Sequence, residues 1–181
     1  MKFGLFLATA AVIASLSPAR AAEEEQQTAE MAREMATVRY LIGTWSCAHT
    51  VGTFSGKYTT SYAMALGDHW LRQTWVFPAG NAGNGNEGAV TAEALMGYDT
   101  RRQAWVRFFA NSLGQHFEIR MSDVPSGWAF KYATFFSRTK PETPEPDAIF
   151  TKKSDTEYTI NGPTYPEGAA IVTEHHDCRK I

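Results

Sequence analysis

The sequence predicts an all-β protein: an antiparallel closed barrel of about ten strands, preceded by a short N-terminal helix. Three observations carry this. Apolar residues recur at helical spacing before Gly43, and after it the period falls to two. Turn chemistry then returns about every 8–12 residues, the rhythm of a sandwich or barrel. The two cysteines, Cys47 and Cys178, stand near the start of the first strand and the end of the last. Closing such a meander removes its exposed edges.

The N-terminus reads as a targeting segment. Lys2 supplies the positive region, Phe3 to Leu16 the apolar run, and Ala19-Arg20-Ala21 the small-x-small pattern of a cleavage site. Residues 1–21 are therefore expected to be a signal peptide, cut near Ala21-Ala22, and the protein periplasmic or secreted. The run is too short and Ala-rich for a membrane span, which needs about 20 apolar residues, and no later segment could span. Losing Lys2 and Arg20 takes the formal net charge from −2 to about −4. A mildly acidic chain without a basic stripe argues against nucleic acid as partner. Residues 22–40 form the lead-in and helix, and 41–181 a single barrel domain.

Met31, Met35, Val38 and Ile42 mark the helix, expected from Thr28 as N-cap to Leu41, with Gly43 as its stop. The strands follow at about 44–53, 57–66, 69–77, 89–98, 103–110, 115–122, 128–137, 148–153, 157–161 and 169–178. Pro78 to Gly88 reads as a mobile Gly/Asn hairpin loop without an apolar anchor. Residues 139–146, with three prolines, and 162–168 read as further loops.

Two cysteines in an exported chain favour one disulfide, Cys47–Cys178, over two separate thiols. Placing them opposite each other on antiparallel first and last strands sets a register. His176 then faces His49, Glu174 faces Val51, and Lys180 lies near Trp45, with Trp45, Cys47, His49 and Val51 on one face. Two histidines and a carboxylate on one face can hold a metal or a ligand's polar end. A wet, polar strand end is the plainer reading, because no metal-ligand spacing is present.

Gly43-Thr44-Trp45 after a short helix resembles the lipocalin and fatty-acid-binding (calycin) pattern. The strings Tyr40-Leu41-Ile42-Gly43-Thr44-Trp45, Leu66-Gly67-Asp68-His69-Trp70-Leu71 and Met96-Gly97-Tyr98-Asp99 resemble more closely a bacterial exported domain family of unknown function with a calycin-like barrel, over about residues 38 to 178. The resemblance implies that Trp45 closes one barrel end, with a basic residue of the last strand, Lys180 or Arg179, packed over it. It carries over no catalytic residues. Nitrobindin-like haem barrels also begin with Gly-x-Trp, but they continue into a glycine-rich stretch ending in proline. Here Ser46-Cys47-Ala48-His49-Thr50-Val51 follows, which argues against haem.

Trp105, Arg107 and Phe109 share one face of the fifth strand, and Trp128, Phe130, Tyr132 and Phe136 one face of the seventh. Such residues serve a packed core or line an apolar cavity. Arg72, Arg107, Arg120 and Lys131 lie within strands. Any that points inward would anchor the carboxylate of a fatty-acid-like ligand; the others face solvent. The tentative ligand-binding set is Trp45, His49, Trp105, Arg107, Trp128, Tyr132 and His176, with no catalytic and no metal-binding residue assigned. No Gly-x-Ser-x-Gly elbow or phosphate-binding glycine loop exists. The leading reading is a binding module for a small apolar or amphipathic molecule, without a cofactor and not an enzyme. The alternatives are a metal- or haem-dependent redox protein or isomerase using His49, His116, His175 or His176, and a filled barrel acting through its surface. The sequence does not address oligomeric state.

Overall fold

Pro18 to Thr37 forms helix α1 in the computed structural model, which describes residues 18–82, 87–132, 134–135, 138–139, 148–164 and 172–181. The segment is rich in Ala, Glu, Gln, Arg and Met, strong helix formers, and opens on a proline, which suits a first helical position. The helix thus starts ten residues before the expected Thr28. Thr28 is not a cap: its Oγ1 donates back to the Glu24 carbonyl at 2.8 Å, inside the helix. The helix also stops earlier than expected, at Thr37, and a 3₁₀ turn over Arg39–Leu41 leads to the sheet. Of the expected apolar stripe, Met35 and Val38 are buried and Met31 and Ile42 partly so, although Val38 and Ile42 lie past the end of α1; Leu41 is buried beside them. Each fully buried side chain contributes about 1.5–3 kcal/mol, which fastens a helix whose other faces are charged.

Among the described residues twelve strands follow: β1 (Gly43–Val51), β2 (Phe54–Ala65), β3 (Trp70–Phe77), β4 (Val90–Asp99), β5 (Ala104–Asn111), β6 (His116–Val124), β7 (Gly127–Tyr132), β8 (Thr134–Phe135), β9 (Arg138–Thr139), β10 (Ala148–Ser154), β11 (Glu157–Thr164) and β12 (Val172–Lys180). Ten of them close into an antiparallel barrel in the order β1-β12-β11-β10-β7-β6-β5-β4-β3-β2. β8 and β9 pair separately, so the seventh barrel strand ends at Tyr132 rather than near residue 137. β11 runs three residues past its expected end, pairing with β12 as far as Thr164↔Val172; Pro163 sits opposite Thr173 near the end of the ladder, where a missing N–H is tolerated. Most of the expected leader (residues 1–17), the proline-rich stretch 140–146 and the side chains of Tyr132, Phe135 and Phe136 lie outside the described residues.

β1 and β12 close the seam with Cys47 opposite Cys178, joined by a disulfide. Trp45, Cys47 and His49 alternate inward and are buried, as the period of two requires. The α1 end is shut from within: Met35, Val38 and Leu41 cover Trp45, whose Nε1 donates to the Leu41 carbonyl at 2.7 Å. Lys180 Nζ lies 5.5 Å from the centre of the Trp45 ring and donates to the Tyr40 carbonyl at 2.8 Å.

Gly43 belongs to this closure, and it opens β1 rather than ending α1. Its φ is 125°, and an added Cβ would lie 2.9 Å from Lys180 Cε. Gly43→Ala is expected to lower stability by about 1–3 kcal/mol, since only glycine adopts that backbone without strain. Urea denaturation checks this; an unchanged midpoint would show that the seam tolerates a side chain there.

Candidate functional site

The strand ends carrying Trp45, Trp105, Trp128 and Lys180 meet α1. The opposite ends carry His49, Phe77, Phe109, Phe117 and His176. Between them the interior holds a polar chain that strand patterning conceals. Arg107 on β5 points inward and is only 8 % exposed. Its Nη2 donates to Gln73 Oε1 on β3 at 2.7 Å; Gln73 Nε2 donates to Thr60 Oγ1 on β2 at 3.0 Å; Thr60 Oγ1 donates to the Thr74 carbonyl at 2.8 Å. β4 lies between β3 and β5, and its small Ala94, paired with Gln73, leaves the guanidinium room to reach across. The guanidinium carbon sits 4.8 Å from the Trp75 ring centre and 5.9 Å from that of Phe130.

These partners do not satisfy the group. Arg107 Nε is buried without a hydrogen-bond partner, and no carboxylate pairs with the guanidinium among the described residues. Arginine remains charged at any relevant pH, so among the described residues its positive charge is uncompensated. Three tyrosines share this interior. Tyr62 and Tyr158 bring their hydroxyls within 3.1 Å, and each disulfide sulfur has a tyrosine hydroxyl at 3.8 Å: Tyr158 beside Cys47, Tyr58 beside Cys178. Burial pushes Tyr62 up to about 12 against the pull of Arg107, and raises Tyr58 and Tyr158 well above their ordinary value. All three are therefore neutral hydroxyls at physiological pH.

At the end opposite α1, His49 faces His176 across the β1–β12 seam, and Glu174 faces Val51. The two imidazoles stack with centroids 5.5 Å apart. His49 is 3 % exposed; its Nε2 donates to the Asn81 carbonyl at 2.7 Å, while its Nδ1 is buried without a partner. Burial lowers its pKa, so the ring is neutral. His176 Nδ1 meets the Tyr58 hydroxyl at 2.9 Å, and its Nε2 donates to Glu174 Oε1 at 2.8 Å. Gly56 makes the Asn81 contact possible: an added Cβ would stand 2.7 Å from His49 Nε2 and 2.8 Å from the Asn81 oxygen. The start of the loop after β3 is thus held by polar contacts of Asn81. Asn81 Oδ1 also accepts from Lys57 N at 3.0 Å. Residues 83–86 of that loop lie outside the described residues.

Among the expected ligand residues, the structure groups His49 with His176 and places Arg107 in the interior. Trp45 is fully buried beneath Leu41 and Lys180, facing no free volume. Trp105 and Trp128, centroids 5.8 Å apart, border a cleft of about 510 Å³ at the α1 end, flanked by Glu34, Tyr40, Asp123 and Lys152. The Tyr132 side chain is not among those described. Arg72 and Arg120 face solvent. His116 is exposed on β6, and His175 points away from the interior toward Asn161 and Asp177. Gln73, Thr60, Tyr58 and Asn81 join the interior without a signal in the hydrophobic pattern. Strand parity with Trp75 and Leu71 places Gln73 inward, which is the one cue available for it.

Fold and interior together define the class: a closed ten-strand antiparallel barrel with a short N-terminal helix, consistent with a lipocalin-like fold. Among the described residues no helix is long and apolar enough to cross a membrane. No model of a known protein family matches the chain, and no curated protein matches it.

Proposed function

We propose that this chain is an exported calycin-type barrel that binds a small amphipathic molecule and anchors its carboxylate, or a comparable anion, at Arg107. One observation supports this above the others. A permanently charged guanidinium is buried with an unmet N–H and no acidic partner among the described residues. Such an arrangement is unfavourable alone and becomes favourable when an anion completes it. The faces of Trp75 and Phe130 stabilise the cation and screen it from water. Partly buried Phe77, Phe109, Phe117 and Ile160, toward the end opposite α1, offer apolar contact for the rest of the molecule. The Cys47–Cys178 bond supports an oxidising compartment outside the cytoplasm.

Titrating the disulfide-intact protein with sodium dodecanoate and with 1-dodecanol, read by tryptophan fluorescence, tests the reading. Dodecanoate is expected to bind about 10–100-fold more tightly, the worth of one charge-assisted hydrogen bond. Protein purified from its native host should also release an acidic amphiphile on solvent extraction. Equal affinities, or no binding with an empty extract, would remove the proposal.

A further inference from the structure

We propose that His49, Glu174 and His176 form a binding site for one divalent transition-metal ion of the zinc type, at the end of the barrel opposite α1. One ligand atom from each residue lies within 4.8 Å of those of the other two. Two imidazoles and a carboxylate are a donor set that Zn²⁺ accepts, with its fourth position left to water or a ligand. Tetrahedral Zn²⁺ holds its donors about 3.4 Å apart at metal–ligand distances near 2.0–2.1 Å. His176 Nε2 and Glu174 Oε1 are already 2.8 Å apart, so small side-chain rotations complete the geometry.

The protonation pattern favours a cation. A ligating histidine characteristically gives its other ring N–H to a carbonyl, carboxylate or water, which fixes the tautomer. His49 does this: the Asn81 carbonyl takes the Nε2 proton and leaves a bare lone pair on Nδ1. That Nδ1 is buried and meets no donor, an unusual state for a native interior and one that a metal would resolve. His176 has a comparable outer partner, the Tyr58 hydroxyl at its Nδ1, whose oxygen can accept a hydrogen bond from Nδ1–H once the ring proton moves there and Nε2 turns to a metal. Gly56 keeps the His49–Asn81 contact free of a side chain. The site is reachable as well as enclosed, since the Glu174 side chain is 31 % exposed and that of His176 12 %.

This site is independent of the anion anchor: neither Arg107 nor Gln73 belongs to it. The test uses Zn²⁺ alone. Disulfide-intact protein is stripped with EDTA and titrated calorimetrically, with Co²⁺ absorption as a second readout of ligand number and geometry. One equivalent is expected to bind, with Co²⁺ giving the intense visible bands of a four-coordinate site. His49→Ala, His176→Ala and the near-isosteric Glu174→Gln should each weaken binding by about a hundredfold or more, beyond what loss of a supporting partner does. Tyr58→Phe should weaken it by about tenfold. His175→Ala, on the outer face of the same strand, should leave it unchanged. Circular dichroism of each variant separates a lost ligand from a lost fold, and Glu174→Gln preserves size and packing. No stoichiometric uptake by the wild type would overturn the site. So would affinity retained in folded Glu174→Gln and His176→Ala, or affinity lost in His175→Ala alone.

Discussion

Replacing both Cys47 and Cys178 by alanine is expected to lower the unfolding free energy by about 3–5 kcal/mol and the thermal midpoint by roughly 10–15 °C. The bond joins residues 131 apart in sequence, so it removes much of the freedom of the unfolded chain. A loop of about 100 residues is worth close to 4.7 kcal/mol in the chain-entropy account. The native barrel should survive. β1 and β12 remain paired over seven residues, from Trp45↔Lys180 to Val51↔Glu174, and the ladders on either side are unchanged. The double variant should therefore keep the wild-type spectrum and lose stability alone. Adding a reductant to the wild type should reproduce the shift, and adding it to the variant should do nothing. A loss under about 1 kcal/mol would mean that the unfolded chain is already compact near the seam.

The second large effect has the opposite sign. Replacing Arg107 and Gln73 together by Met and Leu is expected to stabilise the ligand-free protein by about 1–3 kcal/mol while removing the preference for dodecanoate over dodecanol. Exchanging a buried, incompletely paired charge for apolar groups of similar volume is often neutral or stabilising by about 1–4 kcal/mol. Against this, the variant forgoes the Arg107–Gln73 hydrogen bond and the stacking of the guanidinium on Trp75 and Phe130. Arg107→Met alone should gain less, because Gln73 Oε1 would be stranded inside at a cost of about 1–3 kcal/mol. Removing both partners avoids that penalty, and Thr60 still has the Thr74 carbonyl. Chemical denaturation with and without dodecanoate measures both quantities. If the double variant were less stable by more than about 1 kcal/mol, Arg107 would be balanced without a ligand, and its role would be structural.

Parity makes part of the interior legible in advance. In a strand every second residue faces the core, so Trp105, Arg107 and Phe109 must point the same way. One covalent pair then converts parity into register, which places His49 opposite His176 and Lys180 beside Trp45. Parity with Leu71 and Trp75 also turns Gln73 inward, but the hydrogen bonds that link Arg107 through Gln73 to Thr60 are not legible, because they join side chains on three strands and interior Gln and Thr look like solvent-facing residues to a hydrophobic pattern. The Asn81 carbonyl that holds His49 is out of reach for another reason. A backbone acceptor has no side-chain signature, and Gly56 makes room for it from a different strand. The expected helix start is misplaced because a plausible cap at Thr28 outweighs the helix-forming stretch before it, where Thr28 bonds within the helix instead.

The sequence by itself determined the closed antiparallel barrel, the short helix before it, the disulfide seam and the offset of its two strands. These follow from periodicity, turn chemistry and a single cross-link, all of them local or pairwise properties. Only the tertiary structure decided that Arg107 is buried without a counter-charge among the described residues, that Trp45 is sealed beneath the helix, and that His49 keeps a bare nitrogen beside His176 and Glu174. Each of those depends on several strands distant in sequence meeting at one depth of the barrel. Depth is set by the stagger of the closed sheet, which no single strand encodes.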